Sequence, residues 1–352
     1  MNILSDLCER DDRPPRIAIR LQATMKARLI VTAVVISLTL GVFLGPRNTE
    51  AQQVGKTARV GFLAIGSPQL PYYLGFREGM QNLGYNEAQN LILETRFSHD
   101  AQGLDDLATD LVRRKVDVIV VVGGAPAAAA RRATQTIPIV LGASPDPVEA
   151  GFVASHARPG GNITGMSWMS SELAGKRLEL LREIAPHVKR VAVLSNPDHP
   201  GERLDWRELQ AAAPATRLSL QYLVVRGPND FDAAFEAVRR GGAEALVLVP
   251  DAVTLVNRKR IADFALAARL PTMAAWSEFA ESGCLLSYGP NLRKEYRNLA
   301  RYVDRILKGA TPATIPIERP STFQLVINVK VARELGLTVP QSMLSRADQI
   351  IE

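Results

Sequence analysis

The sequence predicts an α/β fold: two doubly wound parallel-sheet lobes joined by a three-strand hinge. Three observations carry this. Short β-branched aliphatic runs alternate with helix-length amphipathic stretches, the pattern of strands linked by crossover helices. The alternation runs once over about 100 residues and then restarts, on the usual scale of one domain per set. The final stretch has strands and helices but too little apolar sequence for a third core, so it must return to the first two.

In the first set, Ala58–Ile65 reads as a strand. Tyr72–Leu83 follows as a helix, with Leu74, Phe76, Met80 and Leu83 as inward positions. Leu91–Phe97 alternates as a strand and Leu104–Arg114 is helical. Val116–Val122 is almost wholly aliphatic, as a strand buried on both faces must be. Pro126–Thr134 is an Ala-rich helix and Ile137–Leu141 the next strand. The second set begins with helix Ser171–Ile184 and strand Arg190–Leu194. Helix Glu202–Ala213, strand Leu218–Val225, helix Asp230–Arg240 and strand Ala245–Val249 follow. Helix Val253–Arg269 and the short strand Pro271–Ala275 close it. The tail adds strand Leu285–Tyr288, helix Leu292–Leu307, an extended Ile315–Glu318, strand Phe323–Val329 and helix Val331–Leu335. Crossings between lobes are expected near Asn162–Met166, Leu285–Gly289 and Ile315–Pro320. The first lobe is then 52–163 plus 285–314, and the second 164–284 plus 315–352.

Before the lobes lies a 17-residue apolar run, Leu29 to Gly45, preceded by Lys26 and Arg28 and broken by Pro46-Arg47-Asn48. Thr49-Glu50-Ala51 then places small residues at its first and third positions. This is the order of an export signal with cleavage near Ala51, and the run is short for a bilayer span. A retained signal-anchor is the alternative. Residues 25–51 read as the signal peptide and 1–24 as an upstream extension. With no cysteine at the end of the run, no lipid anchor is expected there, and the destination is the periplasm as a free soluble protein. Only Cys284 follows the run, so no internal disulfide is available.

The whole chain has 42 basic and 36 acidic residues; taking away the seven and five in residues 1–51 leaves a net charge of +4. The densest basic groups, Arg113-Arg114-Lys115, Arg131-Arg132 and Arg258-Lys259-Arg260, sit on helical faces or ends, so no nucleic-acid partner is expected. The chain lacks a nucleophile elbow, a phosphate loop, a dinucleotide fingerprint and a zinc-protease motif. His99, His156, His187 and His199 are isolated, without metal-ligand spacing, and Cys284 reads as a small buried apolar residue. No cofactor and no catalytic residue is expected.

What remains is a set of small polar loops at strand C-termini, where open α/β sheets bind ligands. They are Gly66-Ser67-Pro68, Gly123-Gly124-Ala125-Pro126 and Gly142-Ala143-Ser144-Pro145-Asp146-Pro147 in the first set, with Ser195-Asn196-Pro197 and Pro250-Asp251 in the second. Amides at a helix start can hold a carboxylate. Asp146 or Asp251 suits a ligand ammonium, and Trp276 and Tyr288 suit an apolar or aromatic body. Each also has a structural reading: the loops are turns, and Asp146 and Asp251 are helix caps near Val148 and Val253. Trp168 and Trp206 read as packing or rim residues.

YLGFREGMQNLGY (73–85), VDVIVVVGG (116–124), DPVEAGFVASHARPGGNITG (146–165), GKRLELL (175–181), RVAVLSNP (190–197) and FQLVINVKVARELG (323–336) occur in this order and spacing. On these stretches the chain resembles the ABC-transporter substrate-binding proteins of the type I periplasmic-binding fold, in the group with tryptophan- and tyrosine-binding members. The resemblance implies two lobes that close on a small molecule, an amino acid or aromatic solute, and a monomeric receptor that delivers it to a membrane permease. No bond is made or broken. It implies that Ser67, Gly124, Ala125, Ser144 and Asp146 line the first lobe, and Asn196, Asp251, Trp276 and Tyr288 the second lobe and hinge side. One departure is Gly124-Ala125, where relatives often carry a threonine hydroxyl. A sensory or orphan receptor with another membrane partner, and an exported α/β enzyme, are the alternatives.

Overall fold

The computed structural model describes residues 57–144, 146–168, 171–199 and 201–352. The expected signal peptide and upstream extension lie outside these residues. Twelve strands and twelve α-helices, with three short 3-10 turns, alternate along the described chain.

The first sheet holds β1 (Ala58–Ile65), β2 (Leu91–Ser98), β3 (Val118–Val122), β4 (Ile139–Ser144) and β5 (Ile163–Ser167), in the order β2-β1-β3-β4-β5. All its pairs are parallel. Side chains alternate between faces, as the two-residue strand period requires. Val118, Val120 and Val122 enter one apolar cluster, while Ile119 and Val121 enter the cluster on the other face. Helices α1 (Pro71–Asn82), α2 (Leu104–Arg113) and α3 (Gly124–Ala133) cover the sheet.

The second sheet is seven-stranded, in the order β12-β11-β10-β9-β8-β6-β7. It contains β6 (Arg190–Ser195), β7 (Ser219–Val224), β8 (Ala245–Leu248), β9 (Thr272–Ala274), β10 (Leu286–Gly289), β11 (Gln324–Asn328) and β12 (Gln349–Ile351). Its inner run β7-β6-β8-β9-β10 repeats the strand order of the first sheet, so the two sheets are copies of one topology. The addition is β11, antiparallel to β10, and β12, parallel to β11. The associated helices are α4 (Ala174–Ile184), α5 (Glu202–Thr216), α6 (Phe231–Arg240), α7 (Ala252–Val256), α8 (Arg258–Ala267) and α9 (Ser277–Glu281). Later come α10 (Leu292–Leu307), α11 (Val329–Leu335) and α12 (Gln341–Leu344).

The chain passes between the sheets three times: after β5, between β10 and α10, and between α10 and β11. β10 pairs within the second sheet, whereas α10 lies against α1 of the first lobe. Gly75 and Gly79 make that crossing close: a Cβ on either would sit 2.2 or 2.3 Å from the backbone oxygen of Arg293 or Arg297. The third passage runs beside the first. The Ser167 amide donates to the Glu318 carbonyl at 2.9 Å, and buried Thr164 Oγ1 donates to the Ile315 carbonyl at 2.7 Å.

Three local readings change. Leu74 and Leu83 are exposed (37% and 38%), because α1 uses its glycine-bearing face for α10 and buries Tyr72, Tyr73, Phe76 and Met80. The single helix expected over Val253–Arg269 is two, α7 and α8, broken at Asn257, whose Nδ2 donates to the Val253 carbonyl at 2.8 Å. Strand β12 adds an edge that the apolar pattern had not indicated.

Candidate functional site

A cavity of about 700 Å³, its open mouth included, lies where the C-terminal strand ends of the two sheets meet. The first lobe gives it a wall without charged side chains: Ile65 from the end of β1, Val122 from β3, and Gly123 to Pro126 at the start of α3. Gly123 has φ +86, a conformation that favours glycine. It turns the chain from β3 into α3, whose first turn has no side-chain cap. A ten-residue helix with its N-terminal amides at a cavity wall favours a ligand acceptor or negative group there.

The hinge side is aromatic. Trp168, just after β5, meets Trp276, just after β9, edge to face at 6.1 Å between ring centroids. Trp276 also stacks on Phe279 at 6.2 Å, and Trp168 touches Tyr296 at 5.7 Å. Tyr72 lines the cavity and donates its hydroxyl to the Ile65 carbonyl at 2.6 Å. Trp168 is only 3% exposed, yet its indole N–H meets no acceptor. A buried donor left so is costly unless a ligand or water completes it.

The second lobe supplies the charges: Arg177, His199, Asp205 and Asp251. Asp251 caps α7, accepting from the Val253 amide at 2.8 Å, and takes a bond from Asn196 Nδ2 at 3.3 Å. Asn196 is itself held, its side-chain oxygen accepting from the Asp198 amide at 3.1 Å. Arg177 Nε donates to the Tyr288 carbonyl at 2.9 Å. Burial draws the guanidinium down to about 10, against the upward pull of Asp205. Burial likewise holds the His199 imidazole below its ordinary value, opposed by Asp251 and Glu202.

Gly124, Ala125, Asp251 and Trp276 are therefore brought to one cavity. Asn196 stands behind Asp251, and Tyr288 reaches the site through its carbonyl on Arg177, while its ring faces Phe323 at 6.3 Å. Ser67 is half-buried in the turn after β1, its carbonyl accepting from the Leu70 amide at 3.2 Å. Asp146 accepts from the Val148 amide at 2.8 Å and lies 3.3 Å from His156. It lines an adjoining cavity of about 850 Å³ that shares His199 with the first. Ser144 ends β4; its side chain lies outside what is described. Among the described residues, no group of three or more His, Cys, Asp or Glu is placed to hold a metal.

Trp168, Arg177, His199 and Asp205 are cavity residues that the strand-end loops did not point to. Two of them had a signal in the sequence. Arg177 falls on the same helical stripe as Ala174, Leu178 and Leu181, and Asp205 on the stripe of Leu209 and Ala213. A charge on a buried stripe must be satisfied inside, and a cavity wall is one place where that happens.

Residues 66–351 match the family model described as ABC transporter substrate binding protein. The Tyrosine-binding protein of Clostridioides difficile (strain R20291) is 24% identical over 265 residues, covering 75% of this chain and 76% of that one. Among solved structures, the ABC domain in complex with L-Trp from Streptococcus pneumonia has a TM-score of 0.78 at 26% identity, covering 84% of this chain and 100% of that one. A conserved domain protein from Vibrio cholerae also has a TM-score of 0.78, at 28% identity and the same two coverages.

Proposed function

Because the chain belongs to the ABC transporter substrate-binding protein family, whose members bind rather than transform, we propose that it is a periplasmic receptor of an importer. It captures an amino acid or related small solute between its lobes and hands it, as a monomer, to a membrane permease. The observation that carries this reading is the cavity at the strand ends of both sheets, with Trp168 and Trp276 on one side and Asp251 on the other. Ligand contacts to both lobes favour the closed arrangement, and closure is the signal a permease reads. The relatives that bind tyrosine and tryptophan support an aromatic or apolar ligand body.

In this reading Gly124 and Ala125 receive an acceptor end of the ligand, Asp251 a donor end, and Trp276 the flat body. Ser67, Ser144, Asp146, Asn196 and Tyr288 complete the surroundings. The two sheet lobes move, with the passages after β5, after β10 and before β11 flexing between them. A thermal-shift screen of the purified protein against the amino acids and a broad metabolite panel tests it, since a ligand that binds only the folded state raises Tm. Small-angle scattering on each hit is expected to show a smaller radius of gyration. A panel with no stabilising compound and no closure contradicts the proposal.

A further inference from the structure

On the receptor reading, α7 does more than border the ligand. It has five residues, too few to hold a helix unaided, and side chains secure it instead. Asp251 caps its first turn, Thr254 Oγ1 donates to the Asp251 carbonyl at 2.9 Å, and Asn257 bonds the Val253 carbonyl. Asp251, Ala252 and Leu255 of this small unit line the cavity. The unit also reaches the other lobe, packing against β1. Ala252 and Val256 lie against the apolar cluster that contains Leu63, Ile65, Ile119 and Leu141. Among the described residues, every other member of that cluster belongs to the first lobe or, as Ile317, to the third passage. Gly66, next after β1, makes room for this contact. Its φ of +126 favours glycine. A Cβ there would sit 2.4 Å from Leu70 Cδ1 and from the Tyr72 hydroxyl, and 3.3 Å from Val256 Cγ2. Val256 therefore comes against a bare backbone position of the first lobe.

An apolar contact across the cleft removes surface from water only while the lobes are together, and it does so with or without a ligand. It shifts the balance of open and closed arrangements toward the closed one, and a larger closed share tightens every ligand by the same factor. We propose that Val256 is a positioning residue: with Ala252 it latches α7, and so Asp251, to the first lobe, and it keeps a share of the molecules closed before any ligand arrives. Val256 touches no ligand in this scheme. The ligand completes a closure that the latch has begun.

Small-angle scattering of the dialysed, ligand-free parent, Val256→Asp and Val256→Ile tests this. An aspartate is hydrated in the open form and loses that water on closing, so Val256→Asp is expected to have a larger radius of gyration than the parent. Val256→Ile keeps the apolar contact and is expected to match the parent, a rescue that separates the lost contact from a general disturbance of α7. Should circular dichroism show that Val256→Asp does not fold, Val256→Ser takes its place, with the same expansion expected. Equal radii for the parent and the polar variant overturn the inference, and so does an expansion in Val256→Ile. If those radii are equal while a metabolite contracts both proteins, the latch falls and the receptor reading stands. If the polar variant expands while no compound of the panel stabilises or contracts the parent, the receptor reading falls and the latch stands as a contact between lobes.

Discussion

At the residue scale, the proposed receptor function gives Asp251 two separable roles. As the cap of α7 its carboxylate holds the Val253 amide, and loss of such a cap costs about 1 kcal/mol of stability. As a wall of the cavity it offers a charge-assisted bond, worth about 1.5–3 kcal/mol to an ammonium-bearing ligand. Asp251→Ala is expected to lower both Tm and affinity. Asp251→Asn is expected to lower affinity with Tm nearly unchanged, as read by calorimetric titration and thermal melting. Glu278 gives a pH prediction. Burial pushes its carboxyl up from 4.5 to about 7, and one carboxylate oxygen has no partner. Between those two values the folded chain holds more protons than the unfolded one, so stability falls as pH rises through that window and is not regained above it. The loss is ~3 kcal/mol at most. Glu278→Gln removes it, so the variant should melt higher than the parent at pH 8 and alike near pH 4; equal melting at pH 8 contradicts the reading.

At the scale of elements, the decisive contact outside the sheets is the crossing of α1 and α10. It ties the segment leaving β10 to the first lobe through Gly75 and Gly79. A methyl at either position meets backbone oxygen rather than a movable side chain, so the helices must separate. Gly79→Ala is expected to cost at least ~2 kcal/mol in denaturant unfolding, in the range for overpacking. Gly161→Ala, with nothing within 4 Å of its new Cβ, is expected to stay within ~0.5 kcal/mol. The elements were also the most legible part of the sequence. Val116–Val122 could be read as a strand buried on both faces because it is almost wholly aliphatic without alternation, and the strand found there is Val118–Val122, buried throughout. The break at Asn257 was not legible, because no proline or glycine marks it; the Asn257 side chain and its own amide both donate to the Val253 carbonyl there. Leu74 and Leu83 were misread for a related reason. Two glycines carry no hydrophobic signal, yet they mark the face of α1 that is packed.

At the scale of the whole molecule, the site exists only because two copies of one sheet topology present their strand ends to a common space. The strand-end loops of the sequence pointed to Gly124, Ala125 and Asp251, which line that space, since ligand loops lie at fixed places in this topology; Trp276, singled out as an aromatic, lines it too. They did not locate Trp168, Arg177, His199 or Asp205; Arg177 and Asp205 come from buried stripes of helices rather than from strand-end loops. Surface charges of the two lobes also meet: Arg207 of the second lies 3.8 Å from Glu149 of the first, both well exposed. Such a pair contributes about 1 kcal/mol or less. Arg207→Ala is expected to loosen ligand binding no more than about fivefold, with the change in off-rate and greatest at low salt; a larger effect would mean that the pair, rather than the ligand, drives closure.

The central claim is that a solute binds between the lobes against Trp168 and Trp276. The chain has three tryptophans, and the third, Trp206, packs on Tyr222 at 4.9 Å away from the cavity. In Trp206→Phe the remaining two report on the site itself. Fluorescence titration of this variant with the compounds that raise its Tm is expected to give a saturable change in emission with the same affinity that calorimetry reports. A compound that binds and closes the protein while both cavity tryptophans keep their emission unchanged would contradict the account.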